Sequence, residues 1–183
     1  MKAYLPLENY IKKRELPYGV GLLISTSEEQ AKSLTSRKKN VCSFNQWLEA
    51  DIPEDHLLLN INKPLYMQSQ SILDGLKQDD FILTLFISEA RHYFMQNSDR
   101  VQFEKAMTAL KEEKFQILSQ MTGIELVQFV NGRCKNHDMG KTSALLYQAN
   151  IKGAFDPIKS NTDILIFNPH KDLLNVNPKR DIF

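Results

Sequence analysis

A chain of 183 residues with 42% hydrophobic and 25% charged residues has the composition of one globular domain with a sizeable core, which excludes a disordered or fibrous class. Its 23 basic and 22 acidic residues leave a net charge of +1, so the strong general attraction of a nucleic-acid-binding domain for phosphate backbones is missing. Two distant cysteines, Cys42 and Cys134, with no second ligand at metal spacing, argue against a disulfide framework and a metal site.

In chain order, the polar N-terminal stretch has no apolar signal region, which points to a cytoplasmic protein or to one delivered into a host cell without a classical signal peptide. Leu7 to Lys13 reads as a short helix. Tyr18 to Ser25 reads as a strand with Gly19 and Gly21 near its start. Thr26 followed by Glu29 has capping-box spacing and opens a helix over about Ser27 to Ser36. The basic run Ser36 to Asn40 that follows reads as a solvated face.

Phe44 to Pro53 suggests a strand or strand edge closed by Pro53. An extended segment and loop then lead to a short helix within Tyr66 to Gln78. The stretch Asp79 to Val130 has one glycine and no proline, and Phe103, Met107, Leu110, Phe115 and Leu118 recur at helical intervals. Two or three helices forming an insert at about 79–130 are expected, within a single domain over 1–183. Its longest apolar run, Phe81 to Ile87, is far short of the roughly 20 residues that cross a bilayer.

A helix follows Asp138 to about Asn150, with Gly153 as its left-handed stop. Strands are expected at Gly153 to Pro157, at Asp163 to Pro169 with both faces buried, and at Leu173 to Val176. The fold class is α+β.

Gly140-Lys141-Thr142-Ser143 has the letters that end a phosphate-binding P-loop. The first glycine of that loop should stand at Lys135, where a long side chain prevents the tight backbone curl around a phosphate. Asp138 as a helix cap, with Gly140 in the first turn, explains the same residues. The four histidines have no partner at helix or strand spacing, and Asp79-Asp80 and Glu112-Glu113 are neighbours that point different ways.

Three segments taken together carry a family resemblance. They are YGVGLLISTSEEQAKSL from Tyr18, ADIPEDHLLLNINKPLYMQSQSIL from Ala50, and DMGKTSALLYQANIKGAF with NTDILIFNP from Asp138. In this order they resemble ADP-ribosyltransferase-like domains of the kind found in phage and mobile-element proteins. The resemblance implies a split β-sandwich of the ADP-ribosyltransferase type, interrupted here by the helical insert, with NAD in a cleft between two sheets. It implies Asp163 as the acid that steadies the charge formed when nicotinamide leaves, and Tyr4, Gly19, Gly21 and Ser25 as cofactor-binding positions. This sequence departs from the family pattern at Leu5, where a dinucleotide-holding His is expected, and at Leu23, where an aromatic is expected. Two functions follow from the resemblance: a weakly active or degenerate transferase acting on a protein or nucleotide, or a non-catalytic protein-binding or inhibitor module. In the second, the insert is the surface for a protein partner in an effector or toxin-related role; neither reading calls for a metal or a membrane, and the net charge disfavours nucleic acid.

Overall fold

The computed structural model describes residues 1–6, 13–36, 46–97, 99–160 and 162–180. Leu7 to Ile11, Lys12, Cys42 and most of the Ser36 to Asn40 run lie outside the described residues. The strands are β1 (Lys2–Pro6), β2 (Arg14–Leu16), β3 (Gly19–Ser25), β4 (Gln46–Asp51), β5 (Leu58–Asn60), β6 (Gly153–Phe155), β7 (Asp163–Ile166) and β8 (Leu174–Arg180). The helices are α1 (Glu28–Ser36), α2 (Gln70–Gln78), α3 (Asp80–Asn97), α4 (Arg100–Leu118), α5 (Gly123–Arg133), α6 (Met139–Gln148) and α7 (Pro169–Asp172).

These strands form one open sheet in the order β5-β6-β7-β3-β1-β4-β8, with β2 added to β3, so the fold is mixed α and β as the segment order predicts. Only β5 and β6 run parallel; the other neighbours are antiparallel. The pairing is uneven. β3 and β7 share four registered pairs and β1 and β4 share five, whereas β1 and β3 meet at a single pair, Tyr4 opposite Ser25.

Side chains alternate between the two faces of a strand, and the sheet therefore feeds two cores. On one face Ala3, Leu5, Leu22, Ile24, Leu48, Ala50, Ile164 and Ile166 form a cluster that, among the described residues, draws only on strands and the residues beside them. On the other face Leu59, Ala154, Leu165 and Phe167 are covered by buried residues of α2 to α6, such as Ile72, Leu76, Ile82, Leu126, Val127 and Leu146. The expectation of a strand buried on both faces within Asp163 to Pro169 is met over β7, Asp163–Ile166, by this division of Ile164, Leu165 and Ile166. α1 packs on β1 and β4, with Ala31 fully buried and the Lys32 ammonium 4.6 Å from the centre of the Trp47 ring.

Helices fill the middle of the chain as the spacing predicts, and α3 packs against α4 and α2. Leu126, Val127 and Val130 of α5 are fully buried in the main helical core. Two local expectations change. Thr26 uses both its amide and its hydroxyl on the Thr162 carbonyl, so the α1 cap falls on Ser27, whose Oγ accepts from the Gln30 amide at 3.3 Å. Gly153 belongs to β6, and the left-handed residue after α6 is Asn150, with φ 64°. Asparagine tolerates that conformation better than most residues, which leaves Gly153 to admit the Leu165 carbonyl oxygen 2.4 Å from where a Cβ would stand.

Candidate functional site

Directly opposed residues of antiparallel strands project to the same face. Tyr4 of β1 opposes Ser25 of β3, and Ser25 opposes Asp163 of β7. Three of the five candidate residues thus stand in one row across the seam where β1 and β3 share their single pair. Leu5 falls on the opposite face, fully buried in the strand-only cluster, so Tyr4 and not Leu5 presents β1 to this row. Leu23, two residues before Ser25, lies on the row's face and packs against the helical core.

Ser25 is 4% exposed, and its hydroxyl is used within the protein. It donates to Gln30 Oε1 at 3.1 Å and accepts from the Ser27 amide at 3.1 Å. The same Gln30 oxygen accepts from the Thr162 hydroxyl, and the Thr26 amide donates to the Thr162 carbonyl at 2.8 Å. The start of α1 is thereby tied to the residue before Asp163. Asp163 itself is half-buried. Neither its carboxylate nor the Tyr4 hydroxyl takes part in a hydrogen bond or ion pair with any described residue.

Asp156 is the residue after β6, one step past the Phe155–Ile164 pair that joins β6 to β7. Burial works against the Asp156 charge, but hydrogen bonds from Asn62 Nδ2 at 2.7 Å and from the Ile158 and Lys159 amides hold its carboxyl below the usual range. All three bonds reach Oδ1, while Oδ2 faces the Lys159 ammonium at 3.9 Å. Tyr18 lies in the turn between β2 and β3, next to Gly19 and so toward the other end of β3 from Ser25. Its side chain belongs to the helical-side core cluster. Burial, and then the charges of Asp156 and Asp163, push the phenol up from its ordinary value. The position two residues from a strand's buried apolar residue is the signal that could have found Asp156 in the sequence.

Gly19 and Gly21 sit at the other end of β3 from Ser25. A Cβ at Gly21 would lie 2.1 Å from the Ile166 carbonyl oxygen, and one at Gly19 would lie 2.5 Å from the Phe167 ring. Gly19 also has φ 148°, and the Val20 amide between them donates to Ser143 Oγ of α6 at 2.7 Å. Close packing of β3 on β7 and α6 accounts for both glycines.

Beside them the GKTS segment opens α6 at the rim of a cavity of about 520 Å³ lined by Glu15, Val20 and residues 135–141. The Asp138 carboxylate accepts from the Gly140 and Lys141 amides at 2.9 and 3.1 Å. The anion at this helix start is the protein's own cap, as the sequence predicts.

No protein-family model, curated protein or solved structure matches the chain significantly. Among the described residues no group of three or more His, Cys, Asp or Glu is gathered to hold a metal ion, and no helix is long and apolar enough to cross a membrane.

A second polar contact lies at the far end of α6. The Tyr147 hydroxyl donates to Asp172 Oδ1 at 3.0 Å, and the Lys152 ammonium lies 3.9 Å from the centre of the Tyr147 ring. Burial and the Asp172 bond push the Tyr147 phenol up to about 12. Burial raises Asp172 too, against the Tyr147 bond and the charges of Lys152 and Lys171, and its Oδ2 is buried with no hydrogen-bond partner among the described residues.

Proposed function

We propose that this chain is an ADP-ribosyltransferase-like domain that holds NAD against the Tyr4–Ser25–Asp163 row, with Asp163 as the acid. The observation that carries the reading is the row itself. Residues distant in sequence, singled out from a resemblance to such domains, stand side by side on three adjacent strands and on one face. Two further features agree with a split β-sandwich: a seam of one registered pair between β1 and β3, and a core cluster built from strands on both sides of it.

The chemistry follows from groups that the protein leaves unused. The Asp163 carboxylate has no partner among the described residues and is an acceptor for ribose hydroxyls. As the glycosidic bond to nicotinamide breaks, positive charge grows on the ribose carbon and its ring oxygen, and a fixed carboxylate nearby lowers the energy of that state. Tyr4 supplies a hydroxyl from β1 in place of the missing histidine. One hydrogen bond to a buried sugar hydroxyl is worth about 1–3 kcal/mol, the amount Tyr4 must supply while Leu5 faces the core.

A non-catalytic module on the same fold is favoured by one observation. Tyr93, Met95 and Val101, near the ends of α3 and α4 that meet, are each more than 60% exposed, as befits a surface for a protein partner. Thermal unfolding with and without millimolar NAD, followed by an assay for released nicotinamide, separates the readings. A rise in Tm with turnover that Asp163→Asn abolishes is the expected outcome for the transferase. A rise without turnover leaves the binding module, and no rise rejects the NAD site.

A further inference from the structure

We propose that Gln30 is a positioning residue of this row, whose side-chain oxygen holds the backbone at Thr162 and Asp163 and so aims the Asp163 carboxylate at the ribose. The inference rests on the NAD reading above and adds to it a residue outside the strands, on α1.

Ser27 caps α1, and Gln30 follows it by three residues. At that spacing a glutamine ordinarily completes a capping box, its side chain accepting from the amide of the cap residue. Here the Ser27 amide donates to Ser25 Oγ at 3.1 Å instead. Gln30 Oε1 reaches into the sheet, where it accepts from the Ser25 hydroxyl at 3.1 Å and from the Thr162 hydroxyl. A local helix rule is set aside in favour of two strands far apart in the chain, and such departures concentrate at functional sites.

The two hydroxyls bracket the acid. Ser25 stands opposite Asp163 in the β3–β7 ladder, Thr162 precedes Asp163 in the chain, and Asp163 is the first residue of β7. Ser160 Oγ accepts from the Thr162 and Asp163 amides at 3.3 and 3.2 Å, and the Thr162 carbonyl accepts from the Thr26 amide at 2.8 Å. Gln30 joins both sides of this strand end through one oxygen. The Asp163 carboxylate itself has no partner among the described residues, so its direction depends on the backbone that carries it. A displacement of about 1 Å at a reacting group can cost about a hundredfold in rate.

The test is a double-mutant cycle on NAD binding, measured by isothermal titration well below the Tm of each protein. Gln30→Leu removes the acceptor and is expected to weaken NAD by about tenfold, the worth of one hydrogen bond to a ligand. Gln30→Glu keeps an acceptor oxygen and is expected to stay within about threefold of wild type. In an Asp163→Ala background Gln30→Leu is expected to change Kd by less than about twofold, since no carboxylate is left to aim. Equal losses in both backgrounds assign Gln30 to general support of the fold and overturn the inference. So does a Gln30→Leu protein that binds as wild type while Asp163→Ala binds more weakly. A Gln30→Leu chain that fails to fold leaves the decision to Thr162→Val, which cuts the same link on the acid's side and carries the same expectations. Wild-type binding that Asp163→Ala leaves unchanged removes the acid, and the role of Gln30 with it. Absence of wild-type binding removes the NAD reading and this inference together.

Discussion

Replacing Gly21 by alanine tests the packing that sets β3 against β7 and so aligns the row. The added methyl would stand 2.1 Å from the Ile166 carbonyl oxygen, 2.8 Å from its carbon and 3.2 Å from Phe167 Cα. Non-bonded carbon contacts are favourable at about 3.5–4.0 Å, so the strands must part by more than an ångström. All three atoms are backbone of a strand held on its other side by β6, and no side chain can rotate away to make room. Overpacking costs about 1–3 kcal/mol, and weakening one or two neighbouring ladder bonds adds about 1 kcal/mol each. Gly21→Ala is expected to destabilise the chain by about 3 kcal/mol or more, a fall in Tm of roughly 6–12 °C for a chain of this size. Gly132, in α5, has no atom within 4 Å of the place an added methyl would take, and Gly132→Ala is expected to gain about 0.5–1 kcal/mol from helix propensity. Thermal and urea unfolding followed by circular dichroism measure both. A Gly21→Ala protein within about 2 °C of wild type, or one that shifts as Gly132→Ala does, would refute the close β3–β7 approach.

Leu5→His, which restores the family residue in sequence, is expected to destabilise by about 3 kcal/mol or more without raising NAD turnover, because the imidazole enters the strand-only core instead of the row; unfolding and nicotinamide release measure the two effects. Tyr147 is expected to titrate near pH 12, the value its burial and its Asp172 bond impose, in an ultraviolet titration of phenolate, and Tyr147→Phe removes that step. Since its folded value lies above the ordinary 10.0, the associated stability is complete below pH 10 and is lost as pH rises through about 12, so the mutant should show a flatter alkaline decline. Asp138→Ala deletes the cap of α6 and is expected to cost about 1 kcal/mol; NAD affinity should be unchanged, since this helix start lies at the glycine end of β3 and away from Asp163.

The parts of this fold that were legible in the sequence are those decided by near neighbours. Asp138 before an apolar helix, the helical spacing of the middle, and the apolar run after Asp163 each state their structure locally. The row was legible only in its members: register is set by pairing across the sheet, which no spacing along the chain encodes. The facing of β1 was hidden too, because Ala3, Tyr4 and Leu5 follow one another without a polar residue to mark the solvent side. Asp156 reads as a turn residue beside Pro157, and only the pairing of β6 with β7 brings its turn to the end of the sheet where Asp163 stands. Gly153 and Asn150 exchanged roles because either can stop a helix, and the choice fell to the strand that needed a residue without a Cβ.

The sheet edge carries a consequence for how the chain is made. β4 pairs on one side with β1 and on the other with β8, and β8 is translated only after all the helices that cover the opposite face. Until then β4 exposes its backbone amides and carbonyls, a template for pairing with another chain, and nascent or C-terminally truncated forms should aggregate through that edge. Pro178 and Lys179 of β8, opposite Leu48 and Trp47, then close it with a strand whose own outer side is poorly suited to further growth.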